Sequence, residues 1–201
     1  MIVASVTQPD SFTYIEGLQL LIVAIGIAKI LAGLGWLLEN RYTCKIYWVH
    51  ALGAVLIGLL LLQYAWTSFF DYTVQNWPFG QFLLECSTPM IYLFVSELLF
   101  PDDSSADCNL METYRKHIGL IAILVMVAQV VNSILDQRLH PHEAHLITQQ
   151  VIRAVVILVL AALLLPFPRF RRIHEIVFVF RVLTLIIFCI LFTPAIQVAV
   201  P

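Results

Sequence analysis

The chain has 201 residues, of which 61% are hydrophobic and 12% charged, with a formal net charge of −2 and a mean hydropathy of +0.91. A soluble domain carries about twice that charged fraction, so the composition predicts a membrane protein surrounded by a lipid bilayer. It excludes a disordered chain, a nucleic-acid-binding domain with a basic face and a small secreted disulfide-rich module.

Six apolar runs are long enough to cross the roughly 30 Å of bilayer hydrocarbon, which takes about 20 helical residues. In chain order they cover approximately residues 17–38, 46–70, 77–100, 117–135, 146–165 and 174–198. The runs are continuously apolar and lack the alternation of barrel strands. The sequence therefore predicts one all-α integral-membrane domain spanning residues 1–201, a bundle of six transmembrane helices with short loops.

The distribution of basic residues predicts the orientation of this bundle. The loop after span four holds Arg138 alone, whereas the loops after spans one, three and five hold seven Lys or Arg residues: Arg41, Lys45, Arg115, Lys116, Arg169, Arg171 and Arg172. The positive-inside rule then places those three loops in the cytoplasm. Both termini are expected outside, with the chain in a plasma or inner membrane.

This topology leaves none of the four cysteines in an exported loop. Cys44 and Cys108 fall in cytoplasmic loops, and Cys86 and Cys189 fall within spans. Because cytoplasmic thiols stay reduced, we expect four free thiols and no structural disulfide.

Three ionisable residues stand out within the outer half and centre of the spans: Lys29, Glu85 and Arg153. A charged side chain at the centre of a span costs at least about 2.5–3.5 kcal/mol, so each should be paired, hydrated or functional. At about 1.5 Å rise per residue, Glu85 and Arg153 lie roughly level, and Lys29 lies one or two turns deeper. These positions predict a cluster of one carboxylate and two cations.

Pro89 lies in the middle of span three, close to Glu85. It removes a backbone hydrogen bond and frees a carbonyl near residue 85, which Ser87 and Thr88 could help to satisfy. A broken helix beside a buried acid is typical of transporter sites. The alternative is structural: a Glu85–Arg153 salt bridge fixes the register of the helices, and Pro89 only bends one of them.

A second set of ionisable residues lies towards the cytoplasmic ends of the spans: His50, Glu97 and Arg181. Their depths overlap, which predicts an inner cluster; alternatively, Arg181 snorkels and Glu97 reaches the interface. Glu85 and Glu97 are offset by about 120° around one helix, which argues against a single stripe joining the two sets.

The exported loop after span four carries three histidines, His140, His142 and His145. They could bind zinc or copper or respond to acidification; the alternative, which the sequence favours, is a solvated loop. We predict no other cofactor. A haem with two axial histidines is not expected, because His50 is the only histidine deep in a span.

No catalytic motif is present, so an enzyme is not favoured. The buried acid and its cations predict a small transporter or channel for protons or small ions. The alternative is a membrane scaffold or sensor that binds partner helices and does not transport. A homo-oligomer is plausible for either, because six short spans enclose little volume.

Overall fold

A computed structural model describes residues 11–68, 78–100, 109–139, 146–161 and 167–192, and within them the side chains of 13–68, 78–100, 109–138, 151–161 and 172–184. All regular structure in those ranges is helical, which confirms the predicted all-α class. The helices are α1 (Ser11–Glu39), α2 (Trp48–Ser68), α3 (Phe79–Leu99), α4 (Leu110–Leu139), α5 (Leu146–Ala161) and α6 (Phe167–Phe192).

Four stretches in the described part of the chain are long and apolar enough to cross a membrane: Thr13–Glu39, Trp48–Ser68, Phe79–Leu99 and Leu110–Arg138. The apolar segment of α5, Val151–Ala161, is shorter. The membrane class is thus supported by helix length and composition together. Crossing by all six helices stays a prediction.

The helices differ from the predicted spans mainly by extending beyond the apolar windows. α1, α4 and α6 begin six or seven residues earlier than predicted, at Ser11, Leu110 and Phe167. The physical reason is that a helix continues wherever its backbone hydrogen bonds can form, whether or not the side chains are apolar. The predicted residues 193–198 of span six lie outside the described ranges.

Helix α3 lies at the centre of the packing, with its most extensive contacts to α4 and α1 and a further interface with α2. Buried aliphatic and aromatic side chains from these helices form one core, which also receives Val177 and Phe178 of α6. Large apolar side chains cover the outside of the bundle, including Leu31, Leu62 and Phe94. An apolar outer surface is what contact with lipid requires.

Two glycines of α1 allow neighbouring side chains to approach its backbone closely. A Cβ atom at Gly33 would lie 2.4 Å from the Phe100 ring, and one at Gly26 would lie 2.8 Å from Leu61 Cδ1. Small residues at helix interfaces are typical of membrane bundles. They set the spacing of α1 from α2 and from the end of α3.

The cysteines do not all follow the expectation of free thiols. Cys86 is free and buried, as expected, but Cys44 is disulfide-bonded, so the expectation is wrong for Cys44. The next residue, Lys45, forms a parallel bridge with Asn109, and its carbonyl accepts a hydrogen bond from the Leu110 amide at 3.2 Å. The segments that lead into α2 and α4 therefore lie together at one end of the bundle.

Replacing Gly33 by alanine should destabilise the protein relative to Gly35→Ala. Both changes gain the same helix propensity, but only the Gly33 methyl group meets Phe100, whereas nothing lies within 4 Å of a Cβ at Gly35. We expect the free energy of unfolding in micelles to differ by about 1–3 kcal/mol between the two variants. Equal stabilities would contradict the close approach of α1 to Phe100.

Candidate functional site

Four polar residues form a buried row along one face of α3: Glu85, Thr88, Tyr92 and Ser96. Each is at most 4% exposed. Their spacings of three, four and four residues place them within about 80° of one another around the helix. This set, called the polar row below, runs for about 16 Å along α3.

The Glu85 end of the polar row is organised around Pro89. Proline has no amide hydrogen, so the carbonyl four residues earlier, that of Glu85, loses its helical partner. The Tyr64 hydroxyl of α2 lies 2.7 Å from that carbonyl oxygen and 2.8 Å from Glu85 Oε1, so its single hydrogen is shared between the two acceptors. The predicted free carbonyl at residue 85 is therefore present, but a tyrosine of another helix satisfies it.

The hydroxyl groups of Ser87 and Thr88, which the sequence predicts as partners of that carbonyl, donate to other acceptors. The Ser87 hydroxyl donates to the Leu84 carbonyl at 2.6 Å, and the Thr88 hydroxyl donates to Asn132 Oδ1 at 2.7 Å. Helix α3 continues through Pro89 from Phe79 to Leu99. Satisfaction of the backbone by a neighbouring helix is how membrane helices tolerate an internal proline.

Helix α4 supplies the partners for the middle of the polar row. Asn132 accepts from Thr88, and one turn earlier Gln129 Nε2 donates to the Tyr92 hydroxyl at 2.9 Å. Asn132 and Gln129 are three residues apart and share a face of α4. The two hydrogen bonds connect the antiparallel helices α3 and α4 one helical turn apart. They lie in the buried interior, where polar side chains require partners within the protein.

The Ser96 end of the polar row leads towards two buried histidines. The Ser96 hydroxyl donates to the Leu93 carbonyl at 2.6 Å, and one turn further along α3 the Leu99 carbonyl accepts a hydrogen bond from His50 Nε2. Beyond it, Tyr114 Oη lies 3.0 Å from His174 Nδ1. Polar groups thus continue from α3 into the space between α2, α4 and α6.

That space contains a small cavity, called the inner cavity below. Its volume is about 30 Å³. His50 and Arg181 lie in its wall and are 2% and 6% exposed. Most other wall residues are apolar, among them Leu56, Ile57, Ile121 and Val125.

The structure separates the predicted outer cluster of one carboxylate and two cations. Lys29 Nζ forms an ion pair with Glu97 Oε2 at 2.9 Å. Arg153 Nη1 lies 2.6 Å from Asp136 Oδ2, an ion pair by distance without hydrogen-bond geometry. Each cation therefore has a carboxylate other than Glu85, which hydrogen-bonds to Tyr64.

The predicted inner cluster is brought together only in part. His50 and Arg181 line the same cavity, but the Glu97 side chain is 45% exposed and pairs with Lys29 on the outside of the bundle. The 120° offset between Glu85 and Glu97 accounts for this difference, because the two side chains leave α3 on different faces.

The predicted metal ligands His140, His142 and His145 lie outside the described residues. Among the residues that are described, no group of three or more His, Cys, Asp or Glu side chains could hold a metal ion. Metal binding at the histidine loop stays a prediction.

Sequence reasoning did not identify Tyr64 as the partner of Glu85 or Asp136 as the partner of Arg153. Asp136 follows the predicted end of span four by one residue, so it was not counted among the membrane charges. Tyr64 lies within predicted span two, where no sequence pattern links it to Glu85. The freed carbonyl four residues before Pro89 indicated that some donor was needed there, although it could not say which.

The fold and the polar row define this chain as an all-helical membrane protein with buried polar and ionisable groups along its central helix. No family model, no curated protein and no solved structure matches it.

Replacing Tyr64 by phenylalanine should destabilise the bundle by about 1–3 kcal/mol. The change keeps the ring but removes the hydroxyl that serves the Glu85 carbonyl and carboxylate, and an unmet buried acceptor costs about that much. Tyr14→Phe is the matched control, because Tyr14 is 78% exposed. The free energy of unfolding in micelles is measured for both variants. Equal, negligible changes in the two variants would show that Tyr64 does not stabilise Glu85.

Proposed function

We propose that this protein is a small membrane transporter or channel that moves protons or small ions along the polar row of α3. The observation that carries the proposal is the burial of Glu85, Thr88, Tyr92 and Ser96 on one face of the central helix. A row of polar groups in the interior of a membrane bundle is costly to bury and commonly marks an ion or proton pathway.

Glu85 is the protonatable group in this proposal, and Tyr64 holds its carboxylate in place. The following groups are separated along the helix by three or four residues, or about 5–6 Å. One bridging water can span such a gap, because water-mediated hydrogen bonds are nearly as favourable as direct ones. Protons would then pass between hydroxyl groups and inserted waters.

Arg153, Lys29 and Pro89 have supporting roles in this proposal. Pro89 leaves the Glu85 carbonyl free to interact with Tyr64, which brings α2 to the pathway. Arg153 is within electrostatic range of Tyr92, so its charge acts on the row although its ion pair is with Asp136. Lys29 acts on α3 through Glu97, outside the row.

His50 and Arg181 lie at the inner end of the proposed path. The imidazole is the side chain best suited to exchange a proton near neutral pH. Arg181 is within electrostatic range of Tyr92 and adds a positive charge at this end of the path. This charge favours protons over other cations only if water and hydroxyl groups carry the protons. Glu97, on the outer surface, is not part of the path.

We further propose the complete six-span topology with both termini outside, in a plasma or inner membrane. Seven basic residues against one on the opposite side support it. The disulfide at Cys44 opposes it, because disulfides persist in oxidising compartments and this topology places Cys44 in the cytoplasm.

A reporter fused after residue 201 resolves this conflict. With the terminus outside, alkaline phosphatase should be active and a fluorescent protein dark. The opposite pattern would reverse the topology and would place the Cys44 end of the bundle in the oxidising compartment. A reporter inserted between α1 and α2 should give the inverse result and serves as the control.

A scaffold that binds partner helices is the second candidate function, and the Lys29–Glu97 pair favours it. The two side chains are 52% and 45% exposed on the outside of the bundle. Charged side chains of spans usually face the bundle interior, so a second copy of the chain or a partner helix could cover this pair. In that case the polar row serves only to hold helices together.

Potential-driven proton uptake into liposomes tests transport directly. We expect the purified wild-type protein to carry a proton flux above that of empty liposomes. Glu85→Gln should reduce this flux at least about a hundredfold, the lower end of the range for a lost acid–base group. The amide keeps the size of the side chain but cannot release a proton.

Glu97→Gln is the matched control, because it removes a carboxylate from the same helix outside the polar row. It should keep most of the flux. Equal losses in both variants would contradict a path along the polar row. Absence of flux in correctly folded wild-type protein would contradict proton transport and favour the scaffold, whose partner should then copurify.

A further inference from the structure

The Lys29–Glu97 ion pair lies on the outside of the bundle, where α1 and α3 meet. Lys29 Nζ and Glu97 Oε2 are 2.9 Å apart, and both side chains are about half exposed. The two residues belong to stretches long and apolar enough to cross a membrane, Thr13–Glu39 and Phe79–Leu99. Charged side chains of spans usually face the protein interior or a water-filled cavity, so this pair lacks the protein surroundings that such charges normally have.

Apolar side chains flank the pair in both directions along the membrane normal. Helix α1 continues for ten residues beyond Lys29, about 15 Å along its axis. Leu31 and Leu38 in that segment are exposed, and Phe94 is exposed on α3 one turn before Glu97. The pair therefore lies at the depth of the hydrocarbon, and its two charges cancel, so it does not attract a charged lipid headgroup.

The exposed surface beside the pair runs along both helices and is called the α1–α3 face below. Its residues are exposed at helical spacing: Leu21, Ile25, Ala28 and Ala32 of α1, and Leu83, Met90 and Phe94 of α3. On α1 the steps of four, three and four residues keep these side chains on one side of the helix, as in the seam between two packed helices. The two alanines next to Lys29 allow a neighbouring backbone to approach the pair closely.

The charges of the pair are complementary to those of a second copy of the chain. Two copies with the same orientation in the membrane are related by a two-fold axis along the membrane normal. Rotation about this axis keeps each atom at its depth, and the two charged groups differ in depth by at most 2.9 Å. The rotation reverses directions in the membrane plane, so Lys29 of each copy faces Glu97 of the other. The four charges then alternate in sign.

We infer that the α1–α3 face is the interface of a homodimer in the membrane, in which two Lys29–Glu97 pairs meet across the two-fold axis and shield each other from lipid. The inference does not depend on transport, because these two residues neither belong to the polar row nor line the inner cavity. A monomeric protein would leave the proposed proton path intact, and absence of flux would leave the dimer intact.

Energy transfer between donor-labelled and acceptor-labelled copies of the full chain in liposomes tests the interface, with the dyes attached to a C-terminal tag. We expect transfer above that of random proximity, which decreases as lipid dilutes the protein. Single complexes should lose their fluorescence in two bleaching steps. Transfer no greater than random proximity, or complexes of more than two copies, would overturn the proposal.

Lys29→Glu and Glu97→Lys should each prevent association, because each variant brings four like charges together in the dimer. We expect the protein-to-lipid ratio at half-maximal energy transfer to rise at least about tenfold. Glu112 and Arg115 form an exposed ion pair on α4, so Arg115→Glu and Glu112→Lys are controls with the same changes in net charge. They should associate like the wild type, and equal losses in the controls would overturn the assignment.

A mixture of the two charge-reversed proteins distinguishes pairing between copies from pairing within one copy. In a mixed dimer, the two carboxylates of Lys29→Glu face the two ammonium groups of Glu97→Lys. Energy transfer should therefore return in the mixture, although neither protein associates alone. A pair that acts only within one chain gains nothing from mixing, so absence of transfer in the mixture would overturn the proposal.

Ala28→Trp tests the location without a change of charge, for the case in which the charge-reversed proteins do not fold. Ala28 is exposed on α1, so the single chain accommodates the larger side chain, whereas two copies packed at this face are forced apart. We expect at least about tenfold weaker association. Ala154→Trp is the matched control, because Ala154 is exposed on α5. Unchanged association of Ala28→Trp would overturn the α1–α3 face as the interface.

Discussion

The Tyr64 hydroxyl lies within hydrogen-bond distance of both the carbonyl and the carboxylate of Glu85, and the architecture of the bundle depends on contacts of this kind. In an apolar interior every polar group needs an internal partner. Pro89 creates one unmet acceptor and Glu85 adds a second, so α2 must lie where Tyr64 can reach both. Asn132 and Gln129 place the same requirement on α4. The polar row of α3 thus determines which helices surround it.

The ionisable residues of the described chain fall into two environments with different consequences. Lys29 and Glu97 lie half exposed and neutralise each other, and Arg153 in the middle of α5 pairs with Asp136 near the end of α4. Such pairs limit the cost of charges at the surface of a membrane bundle. Glu85, His50 and Arg181 are instead almost completely buried. Groups that are this costly to bury are the ones from which we propose transport.

Particular residues show how far sequence reasoning reached. The depth of Glu85 and the free carbonyl created by Pro89 followed from helix rise and proline chemistry, because both are local properties of one helix. The partners of Lys29 and Arg153 did not follow. Depth along the membrane normal placed both near Glu85, but contact also depends on the rotation of each helix and on which helices are neighbours. Asp136 was missed for a simpler reason, since helix α4 extends beyond its apolar window to Leu139.

The sequence by itself determined the all-helical membrane class and the positions of the buried acid and the internal proline. Hydropathy and helix periodicity are properties of consecutive residues, so they need no knowledge of packing. Only the tertiary structure decided that Tyr64 serves Glu85, that Arg181 and His50 share a cavity, and that Cys44 is in a disulfide. These facts depend on close contact between helices that are distant in sequence. The distances between those helices are determined by side-chain packing and by the glycines of α1.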